Sequence, residues 1–517
     1  MKLSPWALAI GVYAAQAHAQ APAPVPLVPP LVLDPCFAAP PELDPREIEP
    51  PAPEVREPRY GRAALEMVGA LGVGAAWYWL NKDVNSRDWE YSTFSSRLTL
   101  DAIRFDNNSF ATNHLFHTAA GANYHALSRA NGLSLWLASL YTVGASTVWE
   151  GVLEFKEKVS INDQVTTSLG GVAVGESLFQ VSEYVTSAPR GGTGWHRAAG
   201  WLFGLPVALH NAVDGRVMPD GPTDNLGLSR RFWHRFEVTL ESTRLTSNRP
   251  RLMREQGLRV AAAIVNMPGY LGPRRMRRVF WNGNFTEVGF RLAREGLRLG
   301  EVEVQAETVA FGVHHQDLTG AEGDLEGVAA MLGVSLGFEH MQRRGLGPFD
   351  RMALVHLPGL VLDLRQAFGD DRWLRIRTGG HFEFAAMHAL AWPAWRRENP
   401  APRTKSVLED QQYAYYGGVT TQLLSTFAWG GFEVGGSGRY GFYDSIEGSD
   451  REQELLEADL ATEEDLIEHH AWVGWNFGEP AVQLRLSVED LLRRGRAGGL
   501  GVVARDTRAI GAVGYVF

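Results

Sequence analysis

The residues best suited to move protons or hold a cation in this sequence are a histidine and two glutamates set at helical spacing. In Asn113-His114-Leu115-Phe116-His117 and its continuation, Asn113, His117, Gly121 and Tyr124 are separated by four, four and three positions. They therefore share one helix face. Ser146, Glu150 and Glu154 recur every fourth residue, with Trp149 beside them. Two carboxylates one turn apart repel, and in apolar surroundings they require a partner. Candidates are His117, Arg129, Lys156 or a bound cation. As a trio, His117, Glu150 and Glu154 have the chemistry for general acid-base work or for ligating a metal. Their spacing matches no established signature such as His-Glu-x-x-His, so no metal or cofactor is assigned. The competing reading is a satisfied polar network of His117, Arg129, Glu150 and Glu154 that pins helices together. Asn113, Tyr124, Arg129, Asp163 and Glu176 are the candidate binding residues around it. Asp163 follows Ser160 and Asn162, either of which can cap a helix that places Asp163 in its first turn. Gly171 and Gly175, four apart, permit close helix packing just before Glu176.

The elements that must position these groups are apolar helices rich in Trp, Ala and Gly. They are expected over about 61–80, 114–131, 133–158, 163–186 and 195–211. The first contains Arg62 and Glu66 and reads as a buried or interfacial helix. Upstream, Lys2, the apolar stretch Trp6 to Ala15 and the triplet Ala17-His18-Ala19 predict a signal peptide over 1–19, cleaved after Ala19. A Pro, Ala and Glu-rich run over 20–58 reads as an extended linker. The single cysteine, Cys36, lies in that linker and has no intrachain disulfide partner. A net charge of −10 supplies no basic field, which excludes nucleic acid as a partner.

Past about Phe232 the apolar period changes from near 3.6 to 2. Phe236, Val238 and Leu240 alternate with Glu237, Thr239 and Glu241. Val482, Leu484, Leu486 and Val488 alternate with Gln483, Arg485, Ser487 and Glu489. About twelve such segments occur, near residues 232, 257, 284, 300, 328, 351, 372, 412, 431, 465, 481 and 503. Trp373, Phe382, Phe384, Trp429, Phe432, Tyr440, Phe442, Trp472, Trp475 and Phe477 are expected to form interfacial girdles. Polar faces such as Glu303, Gln305 and Glu307 would then line a lumen. The ending Val513-Gly514-Tyr515-Val516-Phe517 resembles the C-terminal strand signal by which bacterial outer-membrane barrels are recognised for insertion.

Asn113, His117, Gly121, Tyr124, Arg129, the run STVWE from Ser146 to Glu150, Glu154, and SINDQVTTSLGGVAVGE from Ser160 to Glu176 together resemble an uncharacterised bacterial family, domain of unknown function 3943. The resemblance covers about residues 85–215. Thr118 stands where the family carries Pro after the His. The family implies no activity.

The expected fold is α+β and multidomain, with a helical domain over 59–216 and a transmembrane antiparallel barrel of about twelve strands over 230–517. The expected location is the outer membrane of a Gram-negative bacterium, with outer-membrane lipid and, through Phe517, the barrel-insertion machinery as partners. The helical domain is expected at the periplasmic side. A structural or transport and gating role follows. An envelope hydrolase or lipid-modifying enzyme built on His117, Glu150 and Glu154 is the alternative, and a secreted soluble β-rich binding protein is another.

Overall fold

The computed structural model describes residues 56–517 apart from 81–93, 100–102, 156–157, 219, 248–251, 322–323, 344–349, 370, 447–459 and 479–480. The expected signal peptide, Cys36 and the expected linker up to residue 55 lie outside the described residues. So does Lys156.

Long alternating runs fold as strands with one apolar and one polar face, and twelve of them close into a ring. They are β1 (Trp233–Ser247), β2 (Leu252–Val265), β3 (Phe285–Glu295), β4 (Arg298–Ala321), β5 (Asp324–Arg343) and β6 (Asp350–Phe368). The ring continues with β7 (Arg372–His388), β8 (Tyr413–Trp429), β9 (Phe432–Ser445), β10 (Thr462–Phe477), β11 (Ala481–Ala497) and β12 (Leu500–Val516). Each is antiparallel to the next. β12 pairs with β1 from Asp506↔Ser247 to Val516↔Glu237, which leaves no free edge. Phe517 extends that seam: its N–H donates to the Phe236 carbonyl at 2.9 Å, and the Phe236 N–H donates back at 3.0 Å.

The pleat sorts the side chains. Val238, Leu240, Val473, Leu484, Leu486 and Val513 point outward and are exposed. Arg439 on β9 reaches Glu339 on β5 at 2.7 Å, and Arg508 on β12 reaches Glu301 on β4 at 2.8 Å. Those strands lie on separate parts of the ring, so the pairs cross the lumen. Near the end where β1 begins, Trp281, Trp429, Phe432, Trp475, Phe477 and Tyr515 form an exposed aromatic band; Phe382, Tyr440 and Phe442 lie toward the opposite end. Three of the expected girdle residues are elsewhere. Trp472 is buried in the lumen, donating to Glu433 at 2.9 Å, and Trp373 also lines the lumen. Phe384 points outward but is covered by Phe105 and Tyr415. The sequence periodicity had not distinguished these environments, because an aromatic near a strand end satisfies any of them.

Both mouths are narrowed. At the end opposite the termini, residues 389–412 carry α7 (Trp392–Glu398) and α8 (Ser406–Gln411). Trp392 and Trp395 stack at 5.4 Å and pack with inward-facing Met341, Leu354, Met387 and Tyr416. At the terminal end, residues 266–284 fold back, with a short strand Arg275–Phe280 paired to β4. Tyr270 packs on Trp233 and Phe285. A cavity of about 500 Å³ lined by charged side chains remains between them. Neither insertion has an alternating pattern, so periodicity does not mark either one in the sequence.

The helices before the barrel are α1 (Tyr60–Leu80), α2 (His117–Ala130), α3 (Leu135–Val148), α4 (Gly171–Val185), α5 (Gly194–Phe203) and α6 (Leu205–Val213). The single helix expected over 195–211 is two. Pro206 starts a new helix, and Gly204 passes so close to Ser182 that a Cβ there would lie 1.7 Å from the hydroxyl. α2 and α4 meet at glycines: a Cβ on Gly121 would lie 1.8 Å from the Thr167 carbonyl, and one on Gly171 would lie 2.6 Å from the Gly121 Cα.

This bundle packs on the outward face of the barrel. Gly170 meets Phe338 of β5 and Val355 of β6, the Ser177 hydroxyl is 3.1 Å from that of Thr308 on β4, and Tyr184 stacks on Phe236 of β1 at 5.5 Å. Each barrel residue lies on the strand face opposite the lumen. The helix therefore runs from near the loop end of β5 and β6 to the terminal end of β1. The helical part thus meets the terminal mouth only where α4 ends, and otherwise covers the wall.

Replacing Gly121 by Leu should separate α2 from α4 at a cost of about 1–3 kcal/mol or more. Limited proteolysis checks this: cleavage between residues 103 and 213 should rise while the barrel keeps its heat-modifiable gel migration.

Candidate functional site

Each of three helices in the bundle contains one widened, π-helical turn. α2 is preceded by Thr112–Phe116, α3 runs into Trp149–Leu153, and the helix beginning Ile161–Val165 enters α4 through Thr166–Gly170. Such turns are rare and cluster at functional sites. All three lie beside one polar cluster.

His117 directly follows the first turn, Glu150 sits in the second, and Asp163 stands one helical turn before the third. One ligating atom from each of the three lies within 4.8 Å of the others. The His117 Nε2 is 3.6 Å from Asp163 Oδ1, and its Nδ1 is 3.4 Å from the Thr167 hydroxyl. Glu150 accepts from the Ser160 N–H at 3.1 Å. Asp163 accepts from Asn162 Nδ2 at 2.8 Å, while Ser160 Oγ caps the helix by accepting from the Asp163 N–H at 3.2 Å. Glu150, Asp163 and nearby Asp106 are all buried, and Arg104 lies 3.6 Å from Asp106. His117 keeps 18% side-chain exposure and marks the accessible side.

The cluster is tied to the loop end of the barrel. Asn113, fully buried, donates to the hydroxyls of Tyr413 at 3.1 Å and Tyr415 at 3.0 Å on β8. The Tyr415 hydroxyl donates to the Asp106 carbonyl at 2.8 Å.

The expected trio does not assemble as such. Glu154 ends the widened turn with φ −87° and ψ 45°, and it accepts from the Trp149 indole at 3.0 Å. Asp163 takes the third place. Arg129 does not pair with Glu150 or Glu154 either. It belongs to a second buried centre, donating to Glu176 through Nε at 2.8 Å and Nη2 at 3.0 Å. His125 Nε2 lies 2.9 Å from Glu176, and Gln180 Nε2 donates to it at 2.7 Å. His125 and Gln180 are not among the expected site residues; the signal that marks them is helical spacing, four positions from Arg129 and Glu176 respectively. Tyr124 packs among Met67, Leu71 and Trp149. In the lumen, His356, His381 and Glu383 also converge, with His356 Nδ1 bonded to Glu383 at 2.8 Å and His381 to Ser335 at 2.7 Å.

Residues 102–205 match the family model described as a domain of unknown function (DUF3943). No curated protein matches the chain. Among solved structures, the chain is similar to a loop L8 deletion mutant of OmpT, an outer membrane protein of Vibrio cholerae. That match has 8% identity and a TM-score of 0.22, over 56% of this chain and 100% of that one. The β domain of the Bordetella autotransporter BrkA is similar at 12% identity, TM-score 0.22, over 55% and 99% of the two chains. The NanC porin is similar at 8% identity, TM-score 0.23, over 54% and 98%. The barrel itself is shown by its closed antiparallel pairing, with β12 joined to β1.

Arg129→Ala would leave Glu176 buried without its bidentate partner, a loss of about 3–5 kcal/mol. The bundle should lose protease resistance at lower urea than wild type, and an unchanged midpoint would show that Glu176 does not depend on Arg129.

Proposed function

We propose that this protein is an integral outer-membrane protein of a Gram-negative bacterium, exported by a cleaved signal peptide, whose filled barrel anchors a helical bundle in the bilayer. The observation that carries the reading is the apolar outward wall, which the bundle covers over part of the ring and then continues with its own exposed apolar side chains. Leu65, Val68, Val73 and Trp77 of α1, Trp136 and Leu140 of α3, and Trp201 and Leu202 of α5 are exposed. In water this surface would be costly; beside a lipid-facing wall it is continuous with its surroundings. That argument also disfavours a secreted soluble protein.

One helix has the length to span a bilayer by itself. α1 is long and apolar enough to cross a membrane, at about 31 Å for its residues Tyr60–Leu80. Its first turn pairs with Asp214 through Arg62 at 2.7 Å, and its last turn donates from Trp79 to the Leu153 carbonyl at 2.9 Å. The Leu135 N–H, at the start of α3, donates to Asn282 Oδ1 beside the terminal end of β3, at 3.2 Å. Successive helices thus run in alternate directions along the wall. The terminal end faces the periplasm in this reading, because the longest connection between neighbouring strands of the ring, 389–412, lies at the other end. Phe517, on the seam strand, is the residue by which the insertion machinery would recognise the chain.

The barrel acts as a scaffold rather than an open pore. The Trp392 and Trp395 plug and the ion pairs across the lumen support this role. The protein should fractionate with the outer membrane and show heat-modifiable migration. In planar bilayers it should carry no steady current, and deleting 389–412 should create one; steady current through the intact protein would overturn the scaffold reading. Spin labels at Leu65→Cys and Val73→Cys, in a Cys36→Ser background, should be relaxed by oxygen more than by a water-soluble nickel complex. The reverse preference would place the bundle outside lipid.

A further inference from the structure

We propose that His117, Glu150 and Asp163 bind one divalent transition-metal ion of the Zn²⁺ class at the loop-end rim of the bundle. This goes beyond the scaffold reading and does not depend on it.

The donor set is one imidazole nitrogen and two carboxylates, a set that Zn²⁺ accepts. Three protein ligands leave a fourth position, and His117, the one of the three that keeps some exposure, marks the side from which that position is reached. The three ligating atoms already lie within 4.8 Å of one another, so small rotations bring them to a common centre.

Two further features point the same way. The first is orientation. A metal-bound His usually engages its other ring nitrogen with an oxygen, and the His117 Nδ1 faces the Thr167 hydroxyl at 3.4 Å while Nε2 faces Asp163. The carboxylates are likewise aimed by Ser160 and Asn162. The second is the backbone. Three helices each adopt a widened turn next to the same spot, and such turns cluster at functional sites. Two buried carboxylates, Glu150 and Asp163, also gather where a cation would offset their repulsion, while Asp106 beside them already faces Arg104.

The luminal group of His356, His381 and Glu383 is the natural control. Its histidines are engaged by Glu383 and Ser335.

The test uses full-length protein folded in detergent, stripped with chelator and dialysed against Zn²⁺ alone, with bound metal counted by mass spectrometry. Wild type, Glu154→Gln and His356→Ala should each hold one equivalent. His117→Ala and Asp163→Asn should lose it. Thr167→Val, which removes only the hydroxyl beside Nδ1, should bind about 10–100-fold more weakly. Heat-modifiable migration and protease resistance report folding. Should a ligand variant fail to fold, Thr167→Val and the visible spectrum of the Co²⁺-loaded wild type decide. Absence of bound metal in wild type would overturn the proposal. So would Zn²⁺ binding that survives both ligand substitutions, or that disappears with His356→Ala.

Discussion

A sheet that meets lipid has no water with which to satisfy an unpaired edge, so it must close, and closure fixes everything inside it. Here the seam is β12 on β1, extended by the reciprocal pair between Phe517 and Phe236. Once the outward face is committed to apolar residues, the period of two sends every polar strand residue into the lumen. A slip of one residue would invert both faces. The charges then have only each other and trapped water as partners. Arg508 with Glu301, Arg439 with Glu339, and Arg375 with Asp363 at 2.6 Å are the result. The contents of the lumen thus follow from its closure, and the Trp392 plug completes the filling at one mouth.

The same constraint accounts for the bundle. An apolar outer wall is a surface against which helices gain little from the hydrophobic effect when lipid is the alternative, so association depends on close packing and hydrogen bonds. α4 provides both. Gly170 seats against Phe338 and Val355, and Ser177 bonds to Thr308. Gly171 and Gly175 let α2 approach from the other side. Glu176, which has no exposed surface, can be placed there because Arg129, His125 and Gln180 surround it. The Asn282 carbonyl reaches the same helix through Gln180 at 3.4 Å, linking this polar centre to the break between the short strand and β3.

The barrel was legible because its signal is cumulative. Each alternating segment is weak, but twelve in succession and a terminal aromatic permit few other arrangements. Gly171 and Gly175 likewise marked a close helix contact, but not that α2 is the helix that makes it. What periodicity does not carry is which apolar face meets lipid and which meets another part of the chain. Phe384 and Phe382 are two residues apart on one face of β7, yet Phe105 covers the first and the second is 65% exposed. The plug and the terminal insertion were hidden for a related reason: they fill space inside a ring, a role that imposes no repeat.

The candidate site was half legible, and the missing half has a local cause. Glu150 and Glu154 share a face only if the helix keeps 3.6 residues per turn. The widened turn Trp149–Leu153 breaks that period, with the Glu154 N–H donating to the Trp149 carbonyl five residues back at 2.8 Å. Glu154 leaves the helix and finds an indole; Glu150 stays with His117. Asp163, which sequence placed as a helix-start residue, is one, and its cap on Ser160 also turns its carboxylate toward His117. A residue can therefore be a structural cap by its backbone and a ligand by its side chain. Widened turns exchange regular hydrogen bonding for a displaced side chain. Three of them around His117, Glu150 and Asp163 supply a local reason for the convergence that regular helices would not have produced.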